Sequence, residues 1–71
     1  KMTKKEAIRL ILSDTKSYAK SLNYAVGYCR AGLEMKEGTR DFETQVLYIL
    51  NNIKYWRHPM AKKVREALKR S

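Results

Sequence analysis

The sequence predicts an all-α fold, a small three-helix assembly in which one long N-terminal helix packs against two shorter helices. Three observations carry this expectation. Apolar residues recur at three- and four-residue spacing in three separate stretches. Cap-forming residues precede the first two of these stretches, and nowhere do apolar and polar residues alternate as in a half-buried strand. The 71 residues make one domain, 1–71, near the lower size limit for independent folding.

The first helix is expected over 4–31. Thr3 followed by Glu6 fits a capping box, in which each side chain satisfies the other residue's backbone N–H. From there Ile8, Ile11, Leu12, Thr15, Tyr18, Ala19, Leu22, Val26, Cys29 and Leu33 stay within one arc at 100° per residue. That unbroken phase favours a single helix, although Ser13-Asp14-Thr15 is cap-forming chemistry that could divide it. A loop over 32–40 follows. Gly32 can take the left-handed conformation that closes a helix, and Gly38 offers a later stop.

The second helix is expected over 41–56. Thr39 and Asp41 are candidate caps, and Phe42, Val46, Ile49, Leu50, Ile53 and Trp56 form its apolar stripe. His58 precedes the only proline and is biased away from helical geometry, whereas Pro59 suits the first position of a third helix over 59–70. Met60, Ala61, Val64, Ala67 and Leu68 give that helix its buried face. At 1.5 Å per residue the first helix would be roughly 42 Å long, so the other two, about 24 and 18 Å, could line it end to end. Such a domain buries a modest core, which a homodimer would extend.

Charge narrows the function. Sixteen Lys and Arg stand against seven Asp and Glu, a net charge of +9, more than solubility requires of so short a chain. The excess is uneven: residues 1–33 carry +5, residues 34–56 carry −1 and residues 57–71 carry +5. An anionic partner is therefore expected. No run approaches the roughly 18 consecutive apolar residues of a membrane span, and the N-terminus lacks the short apolar core of a signal peptide, so no membrane partner is expected.

Enzymatic readings fail on residue supply. One Cys and one His exclude a disulfide framework within the chain and an all-Cys/His structural zinc site. Cys29 lies in phase with the buried stripe, which suits a packed thiol better than a nucleophile. His58 beside Pro59 belongs to a cap or turn. The pairs Glu34/Glu37 and Asp41/Glu43 lie in or beside the loop, where solvated carboxylates are the rule, and there is no glycine-rich phosphate loop. No catalytic residue, metal or cofactor is expected.

Binding readings fare better. Lys5, Arg9, Lys16 and Lys20 are spaced by four, seven and four residues. On a continuous helix they would form a ladder of cations about 22 Å long, able to follow a phosphate backbone. Lys62, Lys63, Lys69 and Arg70 repeat the theme on the third helix, away from its apolar residues. Tyr24 and Tyr28 lie outside the main stripe of the first helix, and Tyr48 and Tyr55 lie opposite the core face of the second, with Asn52 between them. These five form a candidate protein interface, because tyrosine joins an apolar body to a polar tip. The run Tyr18-Ala19-Lys20-Ser21-Leu22-Asn23-Tyr24 matches a helix-turn-helix loosely, but the unbroken periodicity argues for helix straight through Asn23.

The segments Met2-Thr3-Lys4-Lys5-Glu6-Ala7-Ile8, Gln45-Val46-Leu47-Tyr48-Ile49-Leu50-Asn51-Asn52-Ile53 and Tyr55-Trp56-Arg57 resemble short uncharacterised reading frames carried by phages and mobile elements of Gram-positive bacteria. The resemblance implies a small regulator of mobile-element genes, or an anti-CRISPR-like antagonist of a host enzyme or defence complex, acting in the cytoplasm of a bacterial host. The expected function is thus a non-enzymatic, basic binding protein that contacts nucleic acid or a nucleoprotein complex. The alternative is an inhibitor that binds an acidic host protein through its tyrosines.

Overall fold

A computed structural model describes residues 1–70, and all regular structure in them is helical. Four helices follow in order: α1 (Lys4–Ser13), α2 (Ala25–Glu34), α3 (Arg40–Asn51) and α4 (Ala61–Lys69), with one 3₁₀ turn, Thr15–Ser17, between the first two. The expected long helix over 4–31 is therefore two short ones. The longest dimension of the molecule, 30 Å, could not hold it.

α1 opens on the expected capping box: the Glu6 N–H donates to Thr3 Oγ1 at 3.0 Å, and the Thr3 N–H donates to Glu6 Oε1 at 2.8 Å. The latter bond, from a backbone N–H to the ionised form, holds the Glu6 carboxyl below its usual range. The helix stops because Asp14 turns out of line (φ −88°, ψ 70°) and its carboxylate takes two partners, Ser17 Oγ and Trp56 Nε1, each at 2.8 Å. Short-range turns then carry the chain onward, with Ser17 N–H donating to Asp14 O, Lys20 N–H to Ser17 O and Asn23 N–H to Lys20 O. These bonds return the chain about every three residues, so Leu22, Ala25 and Cys29 still reach the core without a continuous helix. Thr15 and Ala19, expected on the stripe, are exposed.

Gly32 does not close a helix. It lies inside α2, where a Cβ would stand 3.4 Å from Ile8 Cδ1 and 3.5 Å from both Gln45 Cγ and Ile49 Cδ1, so α1 and α3 both converge on it. The left-handed residue is Gly38 (φ 87°), and the loop expected over 32–40 shrinks accordingly. Thr39 caps α3 by accepting from the Phe42 N–H at 3.2 Å, and the expected cap Asp41 lies within the first turn. α3 ends at Asn51 rather than at Trp56. Ile53 and Trp56 remain buried because the chain continues in turns, with Ile53 N–H donating to Leu50 O and Trp56 N–H to Ile53 O. α4 starts at Ala61, two residues later than expected, because Pro59 and Met60 form a turn in which His58 Nδ1 accepts from the Met60 N–H at 3.0 Å.

α1 packs against both α2 and α4, and α2 packs against α3, whereas α3 and α4 meet only sparsely. The core is one cluster, with Trp56, Phe42, Ile8, Ile11, Leu22 and Ile49 as its largest members. Fully burying one such side chain stabilises by about 1.5–3 kcal/mol. Gln45, the buried polar residue, is satisfied through its Nε2, which donates to Tyr28 O at 2.9 Å. The basic N- and C-terminal segments are brought side by side by the α1–α4 contact, and Arg70 Nη1 donates to Met2 O at 3.0 Å.

Candidate functional site

Two turns face each other across the surface: the one leading into α2 and the one leaving α3. Leu22 anchors the first in the core, and Ile53 and Trp56 anchor the second. The Trp56–Asp14 hydrogen bond ties the two stretches together across 42 residues of sequence. A second tie comes from α4, where Arg65 Nη2 donates to Ile53 O at 2.7 Å and to Trp56 O at 2.8 Å. Arg65 thereby satisfies carbonyls in the non-helical stretch after α3. His58 stacks on Trp56, with ring centroids 5.3 Å apart and planes at 21°. The Trp56 hydrogen bond, with that from Ser17, holds the Asp14 carboxyl below its usual range.

Between the turns lies an open cleft of about 330 Å³, lined by Lys20, Ser21, Tyr24, Asn51, Asn52, Lys54 and Tyr55. Its two tyrosines are the most exposed of the large hydrophobic residues described, Tyr24 at 75% and Tyr55 at 84%. Exposure on that scale leaves their ring faces open to a ligand. Asn52 Nδ2 donates to Tyr48 O at 2.8 Å, which fixes the amide at the end of α3. No carboxylate lines the cleft, so Lys20 and Lys54 give it a positive field. Tyr28 and Tyr48 stand outside it, with their rings 5.6 Å apart and tilted by 44° across the α2–α3 contact.

The structure therefore gathers Lys20, Tyr24, Asn52 and Tyr55, which the sequence assigns to two different interfaces, into one place. Other expected residues are scattered. Because the helix breaks at Asp14, Lys5, Arg9, Lys16 and Lys20 do not form one helical ladder: the first two lie on α1, Lys16 in the 3₁₀ turn and Lys20 in the turn after it. Lys5 Nζ donates to Leu33 O at 3.2 Å and so satisfies a carbonyl in the last turn of α2. Arg9 and Lys16 are exposed, and Lys62 and Lys63 stand exposed in the first turn of α4, outside the cleft. Lys69 and Arg70 line a separate groove between α3 and α4.

Lys54, Asn51 and Arg65 are not singled out as site residues by the sequence. Lys54 and Asn51 carry a local signal, since they flank Asn52 and Tyr55, but the role of Arg65 depends on a contact that only the fold makes. The connection over residues 14–24 is far longer than the three- or four-residue turn of a helix-turn-helix, which excludes that motif here. Cys29 is buried, and burial pushes its thiol up to about 12. Among the described residues no group of three His, Cys, Asp or Glu side chains is placed to hold a metal ion, and no helix is long and apolar enough to cross a membrane. No family model, no curated protein and no solved structure matches the chain.

Proposed function

We propose that this chain is a non-enzymatic binding protein that holds unpaired nucleotides of a nucleic acid in the cleft between its two turns. The observation that carries this reading is the cleft's composition: two exposed tyrosines, two lysines and two asparagines, with no carboxylate among them. Single-stranded nucleic acid presents flat bases and a phosphate chain, which aromatic faces and cations respectively recognise. An asparagine amide can pair with a base edge, since it offers a donor and an acceptor side by side. The net charge of +9 supplies long-range attraction to the phosphates. A regulator of mobile-element genes, the role implied by the resemblance, would use such a cleft on an exposed loop or a displaced strand.

The test is fluorescence anisotropy with labelled single-stranded DNA, single-stranded RNA and duplex DNA across a salt series. A single strand is expected to bind more tightly than the duplex. Contacts from Lys20 and Lys54 would give a slope of about 0.7 log units of affinity per log unit of salt for each phosphate. Tyr24→Ala and Tyr55→Ala are each expected to cost about 1–3 kcal/mol, the range for one stacked base. Undetectable binding to every single strand at low salt, or binding unchanged in both tyrosine variants, would refute the reading.

A further inference from the structure

A second surface, on the α3–α4 side, has a different chemistry. Because α4 packs on α1 while α3 packs on α2, the two outer helices diverge and leave a groove open between them. Two adjoining clefts, of about 270 and 510 Å³, share Leu47, Leu50 and Lys69 and so form one continuous depression. Leu47 is 60% exposed, and Leu50 is half-buried one turn further along α3. Leu50 packs against the core yet stays half exposed, and Leu47 lies open beside it, so the groove floor keeps apolar surface that burial would stabilise.

The rim is cationic. Lys54, Arg65, Lys69 and Arg70 border the groove, and the one carboxylate among its described lining residues, Glu43, is already paired with Lys4 Nζ at 2.9 Å. The two arginines are held in place by carbonyls, Arg65 by those of Ile53 and Trp56 and Arg70 by that of Met2. Such anchoring lowers the ordering cost of a new ion pair, and a guanidinium with five N–H donors keeps capacity for a carboxylate. A phosphate chain does not suit a leucine floor, because phosphates keep their hydration and the groove offers no aromatic face. A second copy of the chain presenting the same groove would set like charges against each other.

We infer that the α3–α4 groove docks an acidic amphipathic helix of a partner protein, with Leu47 and Leu50 receiving its apolar side chains and the surrounding cations receiving its Asp and Glu residues. Two helices with room between them accept a third at the usual interaxial spacing, and an apolar stripe at three- and four-residue intervals is what such a groove reads. The groove adjoins the tyrosine cleft at Asn51 and Lys54, but Leu47, Leu50 and Lys69 lie outside that cleft, so variants at these three positions test the groove independently of nucleic-acid binding.

The probe is a synthetic peptide helix with Leu at three- and four-residue spacing and Glu elsewhere, fluorescein-labelled and titrated by anisotropy, with ¹⁵N NMR to locate the contact. The expected result is saturable binding that shifts the resonances of Leu47, Leu50 and Lys69. Leu47→Asp, at an exposed position that leaves the core intact, should weaken it by about tenfold or more, and Lys69→Glu should weaken it in the same direction. A Tyr24→Ala/Tyr55→Ala double variant should bind the peptide as the unaltered chain does. The inference is overturned if the Glu peptide does not bind, if a version with Lys in place of Glu binds equally, or if Leu47→Asp has no effect. It is also overturned if sedimentation shows a dimer that Leu47→Asp dissolves, or if a single-stranded oligonucleotide shifts the same leucine resonances.

Discussion

Arg65→Met isolates the tie between α4 and the turn that carries Tyr55. Methionine retains much of the aliphatic stem but offers no donor, so the carbonyls of Ile53 and Trp56 lose bonds of 2.7 and 2.8 Å. Hydrogen bonds to a charged donor contribute about 1.5–3 kcal/mol each. Arg65 is half-buried, so water can partly replace it, and the lower end applies to both bonds: about 3 kcal/mol in total. For a domain of this size that lowers the melting temperature by roughly 12–24 °C. Both bonds leave the one nitrogen Nη2, so Arg65→Lys keeps the charge and the number of donors but on a shorter side chain, and about half the loss is expected. Urea unfolding followed by far-ultraviolet circular dichroism gives the free energies, and an unchanged slope would show that the unfolded states are comparable. An Arg65→Met variant within about 0.5 kcal/mol of the unaltered chain, the range of an ordinary surface change, would refute the proposed clamp.

Three further outcomes follow from the same contacts. The Asp14 carboxyl is depressed in the folded state, so its stabilising effect is present above the ordinary carboxylate range, about pH 4, and is lost as pH falls through the lower folded value. Asp14→Asn should therefore flatten the acid limb of a stability-versus-pH curve, and an unaltered limb would show that Asp14 does not contribute to it. Gly27 sits inside α2, where an added Cβ would meet nothing within 4 Å, whereas Gly38 has φ 87°. Gly27→Ala should thus stabilise by about 0.5–1 kcal/mol and Gly38→Ala should cost about 1–2 kcal/mol, both measured by urea unfolding. Cys29, buried and with its thiol pushed up to about 12, should resist Ellman's reagent near pH 8 until urea unfolds the chain; prompt labelling of the native protein would contradict its burial.

What can be read from the sequence is what depends on near neighbours. Thr3 and Glu6 cap α1 through residues three apart, Thr39 caps α3 in the same way, and the apolar phase of Phe42, Val46 and Ile49 places their side chains in the core. The break at Asp14 is harder to read because a 3₁₀ turn and successive short turns nearly preserve the helical phase, so Leu22, Ala25 and Cys29 keep in step with Ile8 and Ile11. Ser13-Asp14-Thr15 offers a local signal for the break, and Asp14 accepts from Ser17 three residues on, but its other partner, Trp56, is one that local propensity cannot reveal. The same cause hides the cleft. Tyr24 and Tyr55 stand out as displayed aromatics, yet their meeting with Lys20 and Lys54 depends on two turns being tied across the fold. The groove beside Leu47 has no local signal because it arises from the divergence of α3 and α4.

The arrangement in which α1 lies between α2 and α4 also sets an order of events in time. Contacts between α2 and α3 close only the short Gly38 turn, whereas docking α1 on α4 joins opposite ends of the chain. The longer closure carries the larger entropy cost, growing as about 1.5RT times the logarithm of loop length. The rate-limiting barrier is therefore expected to be crossed with α2 and α3 already paired and α4 still searching. Val46→Ala in α3 should then slow refolding, while Val64→Ala in α4 should chiefly hasten unfolding, and the two limbs of a stopped-flow chevron would separate these effects.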